Sequence, residues 1–253
     1  MVAERNFIAF LKPCGFNSKN NKNTALYVGK GIFMNVKLIG FTPNPEKIPA
    51  MAAKLTHSKS KPEDLDKTSE KELKKILEQV MKMGHTSVIE HTNFTFAISD
   101  VSRSLTHQLV RHRIASYAQQ SQRYVNLNEP NYVTPPKISK NKNMKKAYDE
   151  TMENIWKQYN DLLEMGIPAE DARFILPNGA CTNIMVTMNA RSLLNFFELR
   201  CCLHAQWEIR NLANKMLSEV KKVAPTIFKK AGPACKSKKI CPEDKKDCPF
   251  YPK

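Results

Sequence analysis

Glycine is scarce in this sequence, and its few glycines fall outside the motifs in which glycine cradles a nucleotide. The 253 residues include eight glycines, and none forms a Gly-x-Gly-x-x-Gly turn or a Walker-type loop. Gly29 and Gly31 come nearest, but Met34 stands where a third glycine would be. We therefore expect neither a Rossmann-type site nor a P-loop.

Several other markers of function are missing too. There is no Gly-x-Ser-x-Gly elbow, no His-Glu-x-x-His pair and no Cys-x-x-Cys pair, which argues against the hydrolases and zinc sites built on them. No apolar run approaches the roughly 18 residues of a membrane-spanning helix, and the run Phe7–Leu11 is too short for the core of a signal peptide. The seven cysteines are an odd number in a chain long enough to fold without disulfides, so we expect a reducing compartment, the cytoplasm, and no membrane.

The net charge of +16 is concentrated at the ends of the chain. Residues 1–33 contribute +4 and residues 221–253 contribute +7. Lysine-rich ends raise the isoelectric point without forming a binding groove. We expect no specific nucleic-acid partner, although the charge alone leaves nucleic-acid binding open.

Periodicity between the charged ends predicts one helix-rich α+β domain. Residues 34–224 form this domain, residues 1–33 form a leader that is disordered or upstream of a true start at Met34, and residues 225–253 form a basic tail with cysteines. Alternation at Phe94, Phe96 and Ile98 predicts a strand. A further strand is expected from Val36 to Phe41, and helices are expected at about 45–55, 69–83, 102–110, 143–165, 168–177, 190–200 and 204–223.

The densest polar segment runs from Gln108 to Tyr124. It contains three arginines, one histidine, four glutamines and two serines, and it lacks both lysine and carboxylates. A solvated polar helix would usually carry both, whereas arginine forks and amides suit phosphate oxygens and a planar heterocycle. The segment therefore predicts a binding site for a nucleotide.

The same segment resembles the signature of the flavin-dependent thymidylate synthases. Arg111-His112-Arg113 is followed after seven residues by Ser121, and then by Gln122-Arg123-Tyr124. Similar segments come before and after it in the family's order. They are His85–His91 with Phe94–Phe96, Ala172–Pro177, Asn189–Leu193 running to Arg200, and His204–Ile209.

The resemblance implies an α+β fold with a mainly antiparallel sheet and the reductive methylation of dUMP to dTMP. Methylenetetrahydrofolate would donate the carbon, and NADPH would donate electrons through bound FAD. The family forms a homotetramer whose active sites are shared between subunits. Arg200 would be the catalytic residue, because its charge stabilises negative charge at N3 of the uracil and makes C5 nucleophilic without a covalent protein nucleophile.

The resemblance also assigns binding residues. Those for dUMP are Gln108, Arg111, Gln119, Gln120, Ser121, Arg123, Arg173 and Arg200. Those for FAD are Ser87, Arg111, His112, Arg113, Gln119, Asn189, Arg191 and Asn195. His85, Glu90 and His91 would border the flavin or the approach of folate and nicotinamide.

Alternatives remain beside this interpretation. Ser121 has no general base beside it in the motif, so phosphate binding is favoured over a nucleophilic role. Cys181, Cys201 and Cys202 are expected to be small buried hydrophobes. We favour no metal: Cys235, Cys241 and Cys248 are widely spaced, which favours free surface thiols over zinc, and the spacing of His85, Glu90 and His91 suits no common ligand pair. An RNA- or DNA-binding protein, or a flavin enzyme that methylates uridine in RNA, stays open.

Overall fold

A computed structural model describes residues 34–252 as a helix-rich structure around one small antiparallel sheet. The predictions for residues 1–33 lie outside this range. The four strands lie in the order β1-β2-β4-β3, with every neighbouring pair antiparallel. They are β1 Asn35–Phe41, β2 Asn93–Ser102, β3 Ser116–Gln119 and β4 Cys181–Asn189. The predicted α+β class with an antiparallel sheet is confirmed.

Helices occupy most of the remaining chain. The α-helices are α1 Lys47–Leu55, α2 Glu70–Met83, α3 Arg103–Leu109, α4 Pro136–Ser139, α5 Lys142–Glu164, α6 Ala169–Ala172, α7 Ala190–Arg200, α8 Trp207–Val223, α9 Pro225–Phe228 and α10 Ala234–Ser237. Short 3₁₀ helices span Pro62–Lys67, Thr86–His91 and Arg173–Ile175. Within residues 34–252, no helix combines the length and the apolar character that crossing a bilayer requires.

Local sequence explains where several of these helices begin and end. Ser69 caps α2 by accepting a hydrogen bond from the Glu72 backbone N–H, and Gly84 ends it with a φ of 77°, a backbone conformation that glycine adopts without strain. Asn189 caps α7 through the Ser192 N–H. The prediction of one helix at 168–177 was wrong, because the structure has the short helix α6 followed by a 3₁₀ turn there.

The main core lies between the sheet and helices that include α2, α7 and α8. Phe94, Phe96 and Ile98 all point into it, as their alternation predicts. Each such side chain contributes about 1.5–3 kcal/mol through burial. Phe228 packs edge-on against Phe94 with ring centroids 5.4 Å apart, so the core extends past residue 224. The domain boundaries stay a prediction.

Candidate active site

The segment Gln108–Tyr124 changes conformation three times. It leaves α3, turns through residues 110–115, enters β3 at the edge of the sheet and continues into the loop after Gln119. Tyr117 fixes the turn, because its hydroxyl lies 2.8 Å from the carbonyl oxygens of both Leu109 and His112. Burial raises the pKa of this hydroxyl to about 12, so it remains a donor. The segment is therefore a rigid bend between a helix and a strand.

Arg200 meets the Arg-His-Arg motif at the end of α7. Its Nε donates to Nε2 of His112 at 3.0 Å, and the His112 ring packs edge-on against Phe196 with centroids 4.9 Å apart. Burial and then the charge of Arg111 lower the pKa of Arg200. The fold thus holds two guanidinium groups near each other beside a histidine, which favours an anionic ligand.

A second group of arginines surrounds Glu170. Arg123 Nε donates to Oε2 of Glu170 at 2.9 Å, and Arg173 Nε donates to the Glu170 carbonyl at 3.0 Å. The pKa of Arg103 is lowered by burial and by the charge of Arg173. Arg103 was not among the residues predicted from the sequence, although it stands directly after Ser102, the N-cap of α3.

The polar residues of the motif use many of their hydrogen bonds within the chain. Gln119 Nε2 donates to the hydroxyls of Thr106 and Thr182 at 3.2 and 3.3 Å. Gln120 Oε1 accepts from Asn183 at 3.0 Å, and Ser121 Oγ accepts from the Arg123 N–H at 3.1 Å. These bonds shape the loop that follows β3. Gln108 is half-buried on α3 and approaches the Ser104 carbonyl at 3.5 Å.

Ser87, Arg191 and Asn195, three of the residues assigned to FAD, lie on the 3₁₀ helix Thr86–His91 and on α7, and the others lie in the turn after α3 and on β3 and β4. Glu90 pairs with Arg191 across these two elements. The side-chain oxygen of Asn189 caps α7 by accepting a hydrogen bond from the Ser192 N–H at 2.8 Å. Five residues assigned to the flavin or to the folate and nicotinamide side are exposed, and they are His85, Ser87, His91, Asn195 and, in the turn after α3, Arg113.

The arginines of the two groups lie only partly on the surface of the single chain, because Arg103, Arg173 and Arg200 are half-buried. Arg111 and Arg113 are exposed and make no ion pair with a carboxylate within residues 34–252. A cavity of about 720 Å³ opens beside the motif. Of the residues assigned to dUMP or FAD, only Gln120 lines it. The exposed arginines therefore form a charged surface.

Cysteine burial differs from the expectation at one position. Cys181 and Cys201 are buried as predicted, but Cys202 is only half-buried. Burial raises the pKa of the Cys181 and Cys201 thiols, that of Cys201 to about 12. Both thiols are therefore protonated at neutral pH and are poor nucleophiles.

The tail thiols are half-buried and not on the open surface. Cys235, Cys241 and Cys248 line one cavity of about 50 Å³ together with Cys202, a proximity that sequence spacing did not reveal. In the part of the chain that the structure describes, no three histidine, cysteine or acidic side chains are grouped to hold a metal ion.

The protonated thiols lead to a prediction. Replacing Cys181, Cys201 or Cys202 singly by Ala is expected to leave turnover in the reaction that the resemblance implies within about threefold of wild type. The buried Cys181 and Cys201 thiols supply little thiolate for attack, and Cys202 lines the cavity of the tail thiols. Steady-state assays of the three purified variants measure this, with flavin content as the control for folding. Complete loss of turnover in a folded variant would point to thiol catalysis.

Sequence relatives decide the family. The family model described as "Thymidylate synthase complementing protein" matches residues 37–226. A flavin-dependent thymidylate synthase of Clostridium tetani is 51% identical over 237 residues, covering 87% of this chain and 95% of the relative. The chain belongs to the flavin-dependent thymidylate synthases. A relative of the same name from Pyrococcus abyssi is 43% identical and covers 83% of this chain and 90% of its own length.

A solved structure supports the fold of this flavin-dependent thymidylate synthase. The UMP/dUMP methylase PolB of Streptomyces cacaoi, bound with 5-Br dUMP, matches with a TM-score of 0.67 at 22% identity. The match covers 78% of this chain and 93% of the other. Both chains therefore share one architecture.

Family membership makes FAD the cofactor, and the donors present suit it. FAD carries a diphosphate, which planar guanidinium groups bind through paired hydrogen bonds. Arg111 and Arg113 are exposed without a carboxylate partner among the described residues. These exposed guanidinium groups therefore fit the diphosphate of the cofactor that the family binds.

Proposed function

We propose that this protein methylates dUMP to dTMP, with Arg200 activating the uracil and no protein atom bonding to it. Methylenetetrahydrofolate is the carbon donor, and bound FAD supplies the electrons that NADPH provides. The observation that carries the proposal is the hydrogen bond from Arg200 to His112 of the Arg-His-Arg motif, which lies 88 residues earlier in the chain.

Binding of dUMP divides between its phosphate and its base. The arginines around Glu170, together with Gln108, Arg111 and the loop after β3, carry the positive charge and donors that a phosphate requires. The end of β3 and the loop contribute Gln119, Gln120, Ser121 and Arg123 to this proposal. Arg123 and Glu170 are each about half exposed, so a phosphate can replace the carboxylate at little cost.

Arg200 then acts on the pyrimidine edge. Negative charge that collects on N3 and its flanking carbonyl oxygens makes C5 enolate-like and able to attack the methylene carbon. A fixed guanidinium lowers the energy of this charge most where water is excluded. Since thiol addition at C6 is the other way to activate C5, the protonated Cys181 and Cys201 favour the electrostatic route.

The flavin is proposed to bind the arginines of the motif and the exposed face of α7. Arg111, Arg113 and Arg191 supply charge, and Ser87, Gln119, Asn189 and Asn195 supply hydrogen bonds. His85, Glu90 and His91 are proposed to border the approach of folate and nicotinamide. His112 belongs to the same expected set, but its ring is turned towards Arg200.

A homotetramer is part of this proposal. Arg111, Arg113 and Arg123 of one chain are exposed, whereas small-molecule sites usually bury most of their ligand. Neighbouring subunits would cover them and complete each site. Light scattering of the purified protein tests this, with four times the chain mass expected and a monomeric active enzyme as the contradicting result.

The cytoplasmic location stays a prediction from the cysteine content.

The reaction itself is tested by following the flavin. We expect the purified protein to show a bound-flavin absorption spectrum, and its chemically reduced flavin to be reoxidised anaerobically only when dUMP and methylenetetrahydrofolate are both present. Uridine-containing RNA replaces dUMP in a parallel reaction. Methylation of the RNA in place of dUMP, or a flavin-free protein that binds oligonucleotides with steep salt dependence, would contradict the proposal.

A further inference from the structure

His112 is held in place from both sides of the bend that follows α3. Its backbone N–H donates to the Leu109 carbonyl at 3.1 Å, and its own carbonyl accepts from the Tyr117 hydroxyl at 2.8 Å. Because the backbone is fixed at both groups, the imidazole has little freedom apart from rotation about its side-chain bonds.

The imidazole rests on the same helix that carries Arg200. Its ring meets the Phe196 ring at an angle of 82°, and Phe196 is fully buried. Phe196 and Arg200 are four residues apart on α7 and therefore lie on one face of it. One side of His112 thus touches a rigid core residue, and its Nε2 touches the guanidinium one turn further along.

The hydrogen bond requires a neutral imidazole. Arg200 Nε can only donate, so His112 Nε2 must accept, and the ring proton must lie on Nδ1. Burial and then the charge of Arg200 lower the pKa of His112 to about 4. The ring is therefore uncharged at neutral pH and adds no repulsion to the two arginines.

The nearby charge of Arg111 makes the hydrogen bond between Arg200 and His112 important for the position of Arg200. Its positive charge disfavours the charged form of Arg200 and pushes the two guanidinium groups apart. Arg200 forms no carboxylate ion pair among residues 34–252 that would hold it in place. The described contact that fixes its direction is the bond to His112.

We propose that His112 is a positioning residue that fixes Arg200 for catalysis by accepting a hydrogen bond from its Nε. The bond occupies the Nε–H and leaves the Nη groups of the fork for the uracil edge. This inference rests on the proposed function of Arg200, and it gives His112 a role separate from the flavin contact that the family resemblance implies.

Two variants of His112 separate hydrogen bonding from ring packing. His112→Phe keeps a ring against Phe196 but removes the acceptor, so we expect kcat to fall about 10- to 100-fold, the loss typical of a hydrogen bond to a charged group. His112→Gln places an amide oxygen near the position of Nε2 and is expected to stay within about fivefold of wild type. The KM for dUMP should change less than about threefold in both. His107→Phe, an exposed histidine on α3, is the matched control and should leave kcat unchanged.

The readouts are steady-state kinetics, bound flavin per chain and the melting temperature of each holoenzyme. The expected pattern is normal flavin content and normal melting in His112→Phe together with its low kcat. Near-normal kcat in His112→Phe, equal loss in both variants, or loss of flavin from both would overturn the inference. If Arg200→Lys also turns over normally, the proposed role of Arg200 fails; if only the His112 variants are normal, this inference fails alone.

Discussion

Replacing Arg200 by Lys is expected to lower kcat for dTMP formation about 100- to 1,000-fold, while the Kd for dUMP changes less than about tenfold. Loss of one preorganised donor to a developing anion has an effect of this size. Lysine keeps the charge, but an ammonium group cannot both donate to His112 Nε2 and present a planar fork to the uracil. Steady-state kinetics and calorimetric titration with dUMP give the two quantities.

A control variant separates this effect from general damage. Arg210→Lys changes an arginine on α8 that is not among the residues proposed for the site and that donates to the Leu203 carbonyl, and it should keep kcat within about twofold. Wild-type turnover in Arg200→Lys would remove Arg200 from the mechanism. Equal losses in both variants would show that the helices, and not the site, respond to the change.

Replacing Glu208 by Ala is expected to lower the free energy of unfolding by about 2–5 kcal/mol, because two buried donors lose their acceptor. Glu208 is 3% exposed and accepts from the Ser102 backbone N–H at 2.8 Å and from its hydroxyl at 2.6 Å. Ser102 in turn caps α3, which carries Gln108. The carboxylate therefore ties the start of α8 to the helix that leads into the motif.

Denaturant or thermal unfolding of the holoenzyme measures this loss. Glu219→Ala on the same helix removes only a partly exposed pair with Lys222 and should cost less than about 1 kcal/mol. If the two variants unfold alike, Glu208 does not hold α3.

Stability should also depend on pH through Glu208. Burial raises its pKa above the ordinary 4.5, and the Ser102 hydrogen bonds offset part of the shift. A carboxyl with a raised pKa in the folded state stabilises most below its ordinary pKa and loses that contribution as pH rises through the folded value. Relative to Glu208→Gln, wild type should therefore lose stability as pH rises from about 4.5. A difference that stays constant with pH would contradict this.

Helices and strands with strong local sequence patterns could be predicted from the sequence. Ser69 and Gly84 bracket α2 as expected, and the alternation at Phe94 predicts β2, since caps and period-two patterns act over a few residues. The strand β4 was missed although Ile184, Val186 and Met188 alternate in the same way. The strand β3 has only four residues at a sheet edge, too few for a pattern to stand out from the polar motif.

The site was predictable as a set of residues and not as an arrangement. The resemblance placed Arg200 and His112 among the functional residues, but only folding brings residues 88 positions apart to 3.0 Å. The contact of Cys202 with the tail thiols around one cavity was hidden for the same reason. Long-range contacts depend on how helices pack, and the spacing of residues along the sequence does not reveal this packing.

The most direct test of the account is whether uracil bonds to the enzyme during turnover. The holoenzyme with radiolabelled dUMP, methylenetetrahydrofolate and NADPH is quenched with denaturant in the steady state, and the protein is separated from free nucleotides. We predict that all label leaves with the nucleotides. Label that remains on a peptide containing Cys181, Cys201 or Cys202 would contradict activation by Arg200.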